Sequence, residues 1–254
     1  MAQSASKFMS DEQINLTADT TLNIAPRQVT RLIVVSAKTE AKLTLIINEG
    51  AGVHLIVPLS ANKASFQINV KTRAQFTMTL LGLIDFDSMG DIKISLTGEQ
   101  ANAIVELAVV SQQTSQTNFN IRLEHLSNRT TGRINSRRVQ QDKSASVLTG
   151  LLYVGERGNG TNTYLSDKVL LLGELSQVKS DPQLEILACD VKASHGATIG
   201  QISEEELFYL RSRGLPKSVA QSILVQSFLM PALIGVPLEI RDKLLHEVSI
   251  RQNP

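Results

Sequence analysis

The sequence has one cysteine, no tryptophan and almost no net charge, and each shortage closes off a class of function. A lone thiol, Cys189, cannot form an internal disulfide, and a four-cysteine metal site is beyond this chain. A reducing compartment fits, so a cytoplasmic protein is expected. Lys+Arg 25 against Asp+Glu 24 leaves a net charge of +1, which offers no electrostatic footprint for nucleic acid. Aromatics make up only 4%, too few for base-stacking platforms. No apolar run approaches the roughly 20 residues of a membrane span. Met1 to Ser10 shows no apolar signal-peptide stretch before Asp11 and Glu12. Neither nucleic acid nor membrane is therefore an expected partner. With so few aromatics, a core in 254 residues has to come from Val, Ile, Leu and Ala. Stacked flat layers of aliphatic side chains can supply it.

What is present is alternation. Residues 1–21 are polar and aperiodic and read as a flexible lead-in. From Leu22 the period becomes two: Leu43, Leu45 and Ile47 alternate with Lys42 and Thr44, and Phe66, Ile68 and Val70 with Ser65, Gln67 and Asn69. The pattern returns at Phe76-Met78-Leu80, Ile92-Ile94-Leu96 and Phe119-Ile121-Leu123. Such alternation predicts strands with one buried face, with Leu43, Phe66, Ile94, Ile121 and Leu171 pointing inward. Turn signals separate them at Glu49-Gly50-Ala51-Gly52, Asp87-Ser88-Met89-Gly90, Thr97-Gly98, Ser127-Asn128-Arg129 and Gly158-Asn159-Gly160. Sandwich, barrel and parallel β-helix all accommodate this. The irregular loops between strands favour the β-helix slightly, although no strict repeat is visible.

The pattern changes after Ile202. Ser203-Glu204-Glu205-Glu206 has the form of a capping box, opening a helix through Leu207, Phe208 and Leu210 that stops at Gly214. Pro216 suits the first turn of a second helix carrying Val219, Ile223, Leu224 and Phe228. Pro231 and Gly235-Val236-Pro237 break the chain before a last amphipathic helix with Ile240, Leu244, Leu245 and Val248. The expected organisation is a β body over 22–202 and a helical segment over 203–254.

Candidate chemistry is sparse. Gly155 to Thr161 resembles a phosphate loop, but it lacks the Lys after its last glycine and no helix follows. No nucleotide site is expected. There is no Gly-x-Ser-x-Gly, and the acids are dispersed rather than paired as a glycosidase needs. The chain is not expected to be an enzyme, although carboxylates distant in sequence can converge on neighbouring coils of a polysaccharide-acting β-helix. His125 continues the parity of Phe119-Ile121-Leu123 and reads as a hydrogen-bonded strand-end histidine; His54 and His246 read as packing or surface residues. His195 lies among small residues, Ala193-Ser194-His195-Gly196-Ala197-Thr198, that let another group approach closely. On a continuous strand Cys189 would stand about 20 Å from His195. The two cannot share a metal unless the chain turns between them. Spacing alone reads His195 as structural and Cys189 as a buried thiol.

One stretch carries a resemblance. Asp181-Pro182-Gln183-Leu184-Glu185-Ile186, Asp190-Val191-Lys192, Ser194-His195-Gly196-Ala197-Thr198-Ile199-Gly200 and Leu207-Phe208-Tyr209-Leu210-Arg211-Ser212-Arg213-Gly214 resemble the signature of the SufB/SufD family of iron–sulfur cluster assembly scaffolds. Thr161-Asn162-Thr163-Tyr164 and Val169-Leu170-Leu171-Leu172 are similar to the strand before it. The match covers about residues 160–230. It implies an all-β body, a right-handed parallel β-helix, followed by a small C-terminal helical segment. It also implies a scaffold that pairs with a SufB-like subunit or with itself and docks a SufC-like ABC-type ATPase. Docking would fall on the helical segment, for which Phe208, Tyr209, Ile223, Leu224 and Phe228 are the candidates. The iron–sulfur cluster would be a transient cargo shared across the scaffold interface, with His195 at the position implicated on the SufD side and Cys189 a weaker candidate. Ala193 stands where SufD-like chains often have Cys, Ile186 where SufB-like chains carry one, and Gly196 where they carry Glu. The resemblance is therefore SufD-like, in a short form expected to lack the usual N-terminal helical region. A polysaccharide-acting or purely structural β-helix is the alternative.

Overall fold

The computed structural model describes residues 11–37, 41–59 and 63–251. The chain forms β1 (Asp11–Leu16), β2 (Thr20–Ile24), β3 (Val29–Ala37), β4 (Lys42–Ile47) and β5 (Gly52–Pro58). It continues with β6 (Lys63–Val70), β7 (Gln75–Ile84), β8 (Ser88–Leu96), β9 (Asn102–Ser111) and β10 (Gln116–His125). The last five are β11 (Thr131–Gln140), β12 (Ala145–Val154), β13 (Thr161–Leu171), β14 (Gln177–Ile186) and β15 (Val191–Gln201). Odd-numbered strands make one eight-stranded sheet and even-numbered strands a seven-stranded one. Every pairing within them is parallel, for example β11 with β9 and β13. Successive strands thus alternate between two facing sheets, and each pair of strands is one coil of a parallel β-helix.

Alternation gives the parity correctly. Leu43, Ile94 and Ile121 are fully buried and Phe66 nearly so, within a continuous aliphatic lumen between the sheets. Leu171 is the exception. It has lumen parity but ends β13, against Gln201 of the last coil, and is only half-buried. The body also starts earlier than the alternation suggests: β1 and β2 occupy part of the stretch read as a lead-in, with Leu16 2% exposed. Residues 1–10 lie outside the described residues. Ser88-Met89-Gly90, read as a turn, opens β8 instead.

The corners are more regular than the sequence implies. Arg27, Gly50, Arg73, Gln100, Arg129 and Gly160 all have left-handed backbones, with φ from 54° to 74°. Each donates its N–H to a carbonyl of the following coil: Arg27 to Glu49, Gly50 to Thr72, Arg73 to Glu99, Gln100 to Asn128, Arg129 to Asn159 and Gly160 to Asp190. The Gly-rich segment from Gly155 belongs to this ladder as a corner.

The helices are α1 (Glu204–Ser212), α2 (Lys217–Leu229) and α3 (Leu238–Arg251), with a 3-10 turn at Met230–Leu233. Ser203 Oγ caps α1 by accepting from the N–H of Glu206, and Gly214 takes φ 89° after its end. These helices form a layer rather than an appendage. Val225, Leu229, Ala232, Leu233, Val236, Leu244 and Val248 pack on outward-facing Ile56, Leu81, Ala108, Val110 and Val139 of the eight-stranded sheet. At roughly 1.5–3 kcal/mol per large aliphatic side chain buried, this second core is what holds helices too short to persist alone.

Candidate functional site

The site is the C-terminal mouth of the β-helix. Among the described residues β14 pairs only with β12, and β15 only with β13, so each sheet ends on an unpaired parallel edge. Lumen parity carries into this coil: Val178, Ser180, Pro182, Leu184 and Ile186 stand over Ser146, Leu148, Gly150, Leu152 and Val154. On the other side Val191, Ala193, His195, Ala197 and Ile199 stand over Thr161, Thr163, Leu165, Asp167 and Val169. Among the described residues no further coil covers them. Leu184 and Ile186 are each 38% exposed and Ile199 48%, at positions whose counterparts one coil below are sealed.

His195 is exposed and registers over Leu165, which is 1% exposed. The side chain of Leu165 fills the space that a Cβ on Gly150 would need, with its Cδ1 only 2.2 Å from that point. Leu165 and Gly150 therefore meet across the lumen, and His195 and Pro182 occupy the corresponding places in the coil above. His195 thus sits on the mouth itself. Its small neighbour Gly196 has the opposite parity, and the space there is taken by the Tyr164 hydroxyl, 2.8 Å from the Cβ position.

Cys189 is exposed, not a buried thiol. The reason is local: β14 ends at Ile186, and Cys189 lies in the bend that turns the chain into β15. The bend is pinned to the corner beneath, because the Asp190 carbonyl accepts from Gly160 N–H at 2.7 Å and Asp190 N–H donates to Asn159 Oδ1 at 3.2 Å. Cys189 and His195 thus belong to one coil but not to one continuous strand. Among the described residues no group of three or more His, Cys, Asp or Glu is placed to hold a metal ion.

Beneath the mouth the lumen turns polar. Arg138 and Asp167 form an ion pair with both side chains fully buried, Nη2 to Oδ2 at 2.5 Å and Nε to Oδ1 at 3.2 Å. One coil further in, His125 is buried at a corner, its Nδ1 2.8 Å from Thr130 Oγ1. Burial, helped by the Arg133 charge, depresses its pKa to about 4. This confirms the strand-end reading. His54 is likewise a packing residue, Nε2 2.9 Å from Thr79 Oγ1, while His246 is on the surface. Arg138 and Asp167 were passed over in the sequence, although an Arg and an Asp at lumen parity were the available signal.

The docking candidates separate. Phe208 (72% exposed) and Tyr209 (57%) project from α1, which buries only Leu207. The elbow to α2 forms an open cleft of about 510 Å³ lined by Phe208, Arg211, Ser212, Gly214, Leu215, Pro216 and Lys217. Ile223 is exposed and Leu224 half-buried. Phe228 faces inward: its ring lies 5.4 Å from the Arg137 guanidinium, and its carbonyl accepts from Arg137 Nη1 at 2.8 Å. That arginine satisfies a carbonyl at the C-terminal end of α2, as a cation there should.

The described residues thus form a two-sheet parallel β-helix with an open, histidine-bearing end and a helical layer on one sheet. The family described as "SUF system FeS cluster assembly, SufBD core domain" matches residues 13–228, and the chain belongs to it. It is 43% identical over 101 residues to the iron–sulfur cluster assembly protein SufD of Escherichia coli, covering 38% of this chain and 24% of that protein. With SufD of Bacillus subtilis it shares 29% over 173 residues, 68% of this chain and 40% of that one. A SufBD family protein of Pyrococcus horikoshii is 36% identical over 104 residues, 41% of this chain and 23% of that protein. The chain thus spans less than half the length of each of these relatives.

Proposed function

We propose that this chain is a non-catalytic scaffold unit of Suf-type iron–sulfur cluster assembly, and that its open end is the face on which the work is done. The observation that carries the reading is the terminal coil: apolar Leu184, Ile186 and Ile199 are exposed around His195 on two unpaired parallel edges. Unpaired edges and an uncovered apolar face are stable together when another chain adds to them. A SufB-like subunit or a second copy fits, because a β-helix end offers matching edges for both sheets. The cluster is then a transient cargo, held between His195 and donors of the second chain, with Cys189 at the rim. The exposed aromatics at the α1–α2 elbow are the dock for a SufC-like ATPase, with Ile223 and Leu224 beside them and Phe228 supporting from within. Nucleotide is the ATPase's ligand in this reading, because in the Gly155–Thr161 corner the N–H groups of Gly155, Gly158, Gly160 and Thr161 are already given to the carbonyls of His125, Gly155, Asp190 and Gly158. A polysaccharide-acting β-helix would keep paired acids on an open sheet face, and the helical layer packs on part of the outer face of the eight-stranded sheet here.

The test is anaerobic co-expression with Suf partners. Wild-type chain should co-purify with scaffold and ATPase, and the complex should build clusters. His195→Ala should fold and assemble normally and lose cluster formation. A variant complex that forms clusters at the wild-type rate removes His195 from the chemistry.

A further inference from the structure

Arg138 has the largest fully buried side chain among the described residues, and it sits where an aliphatic residue would be expected. Its register neighbours in the coils before and after are Val109 and Val169, both buried. A buried Arg–Asp pair is a poor way to gain stability, since desolvating two charges offsets most of their attraction. What the guanidinium has that a valine lacks is reach in several fixed directions. From β11 it forks onto Asp167 of β13, donates through Nη1 to Ser146 Oγ of β12, and reaches the Lys179 carbonyl of β14 at 3.4 Å. It therefore ties together strands of both sheets directly below the mouth. The terminal coil needs such a tie, because among the described residues no packed layer lies above it. Ser180, beside Lys179 and of lumen parity, has a buried hydroxyl with no hydrogen-bond partner. Ser136, the register partner of Asp167, is in the same position. Among the described residues, the polar tie from the lumen to β14 is Arg138's.

We propose that Arg138 is a positioning residue for the open end: it sets the spacing between the β13/β15 and β12/β14 sheet edges, and so where His195 stands over the mouth. Its relevance to assembly rests on the reading of the open end as the working face. The positioning itself is tested on the chain alone, so failure of that reading leaves it standing or falling on its own measurement.

The experiment compares wild type with the double variant Arg138→Met, Asp167→Leu, which removes both charges and keeps the volume. The readouts are thermal unfolding, amide hydrogen exchange by segment, and the spectrum of a spin label on the native thiol of Cys189. The expected result is a melting temperature within about 2 °C of wild type or above it. Exchange across 177–201 should accelerate by about tenfold or more while 145–171 is unchanged, and the label should become more mobile. Unchanged exchange and label spectrum, or acceleration spread evenly over both segments, would overturn the proposal. If the double variant does not fold, Arg138→Lys decides. It keeps a charge opposite Asp167 but loses the fork to Ser146 and Lys179, and must show the same selective loosening at smaller size. A lysine variant indistinguishable from wild type overturns it.

Discussion

Two adjacent coils carry the same pattern and meet different fates. In β12 and β13 the lumen residues Leu152 and Val169 are 0% and 3% exposed; their register partners Leu184 and Ile199 in β14 and β15 are 38% and 48% exposed. Neither propensity nor parity distinguishes the two coils. Only the layer above does. In a solenoid each coil is buried by its neighbours, so an end coil written like an interior one exposes its core. The largest expected effect breaks this contrast directly. Leu165→Asp places an unpaired charge in a sealed lumen and should cost on the order of 4 kcal/mol or more, enough to unfold much of the protein. Ile199→Asp, in the next coil at lumen parity, should change the stability of the isolated chain by less than about 1 kcal/mol. Urea unfolding of both variants measures the difference. Equal losses would mean that the end coil is covered in the isolated chain. Leu171→Asp should fall between them, since Leu171 is half-buried.

This contrast also marks what the sequence could convey. Period-two alternation reports which face a side chain takes, and Leu43, Phe66, Ile94 and Ile121 followed it. It does not report whether anything lies on that face, so Leu171 and the mouth residues were not separable from Leu165 in the string. Helix ends were legible because caps are local chemistry, as at Ser203 and Gly214. Where the helices would lie was not legible. Leu81, Val110 and Val139 break strict alternation by being buried on the outer face, and that departure was the trace of the layer above them. That Phe228 would face Arg137 was not legible either, because an amphipathic stripe does not say which partner each residue meets. The coil repeat was present but disguised. Its invariant is a left-handed backbone followed in five of six corners by a small residue, as in Gly50-Ala51, Arg73-Ala74, Gln100-Ala101, Arg129-Thr130 and Gly160-Thr161. Left-handed Arg and Gln do not announce themselves as glycine does.

Acid sharpens the comparison of body and end, because the two deeply buried histidines both lie in the body. Burial pushes His54 and His125 down to about 4, with Arg31 and Arg133 adding to it. Below pH about 6.5 the unfolded chain takes up their two protons first, so stability falls with pH until about 4. Glu106 opposes them: burial raises it to about 7, against the hydrogen bond from Asn135 and the Arg137 charge. Between about pH 6.5 and 4.5 the folded chain already holds that proton, and the unfolded chain has still to take it up. The balance is a net uptake on unfolding of about one proton, a slope of at most about 1.4 kcal/mol per pH unit. Glu106→Gln removes the opposing group and should nearly double the slope. Urea midpoints at a series of pH values test this, and a flat profile in both proteins would reject the buried, neutral assignment of the histidines.

The smallest effect belongs to Cys189, and its smallness is informative. The thiol is exposed in a bend whose backbone is fixed by Asp190 and Gly160 and does not depend on the sulfur. Cys189→Ser should therefore leave stability within about 0.5 kcal/mol of wild type. In the native chain the thiol should react with an aromatic disulfide reagent almost as fast as after unfolding, with no requirement for prior opening. A thiol that reacts only in denaturant would mean that the last coil folds back over its own mouth, contradicting the exposure of Leu184 and Ile199. The same titration reads the proposed pairing. If a second chain seats on the two open edges, the rim carrying Cys189 is shielded, and the thiol should slow in the complex and recover on dissociation. An unchanged rate in a demonstrated scaffold complex would place the contact elsewhere on the molecule, and the mouth would lose its claim to be the working face.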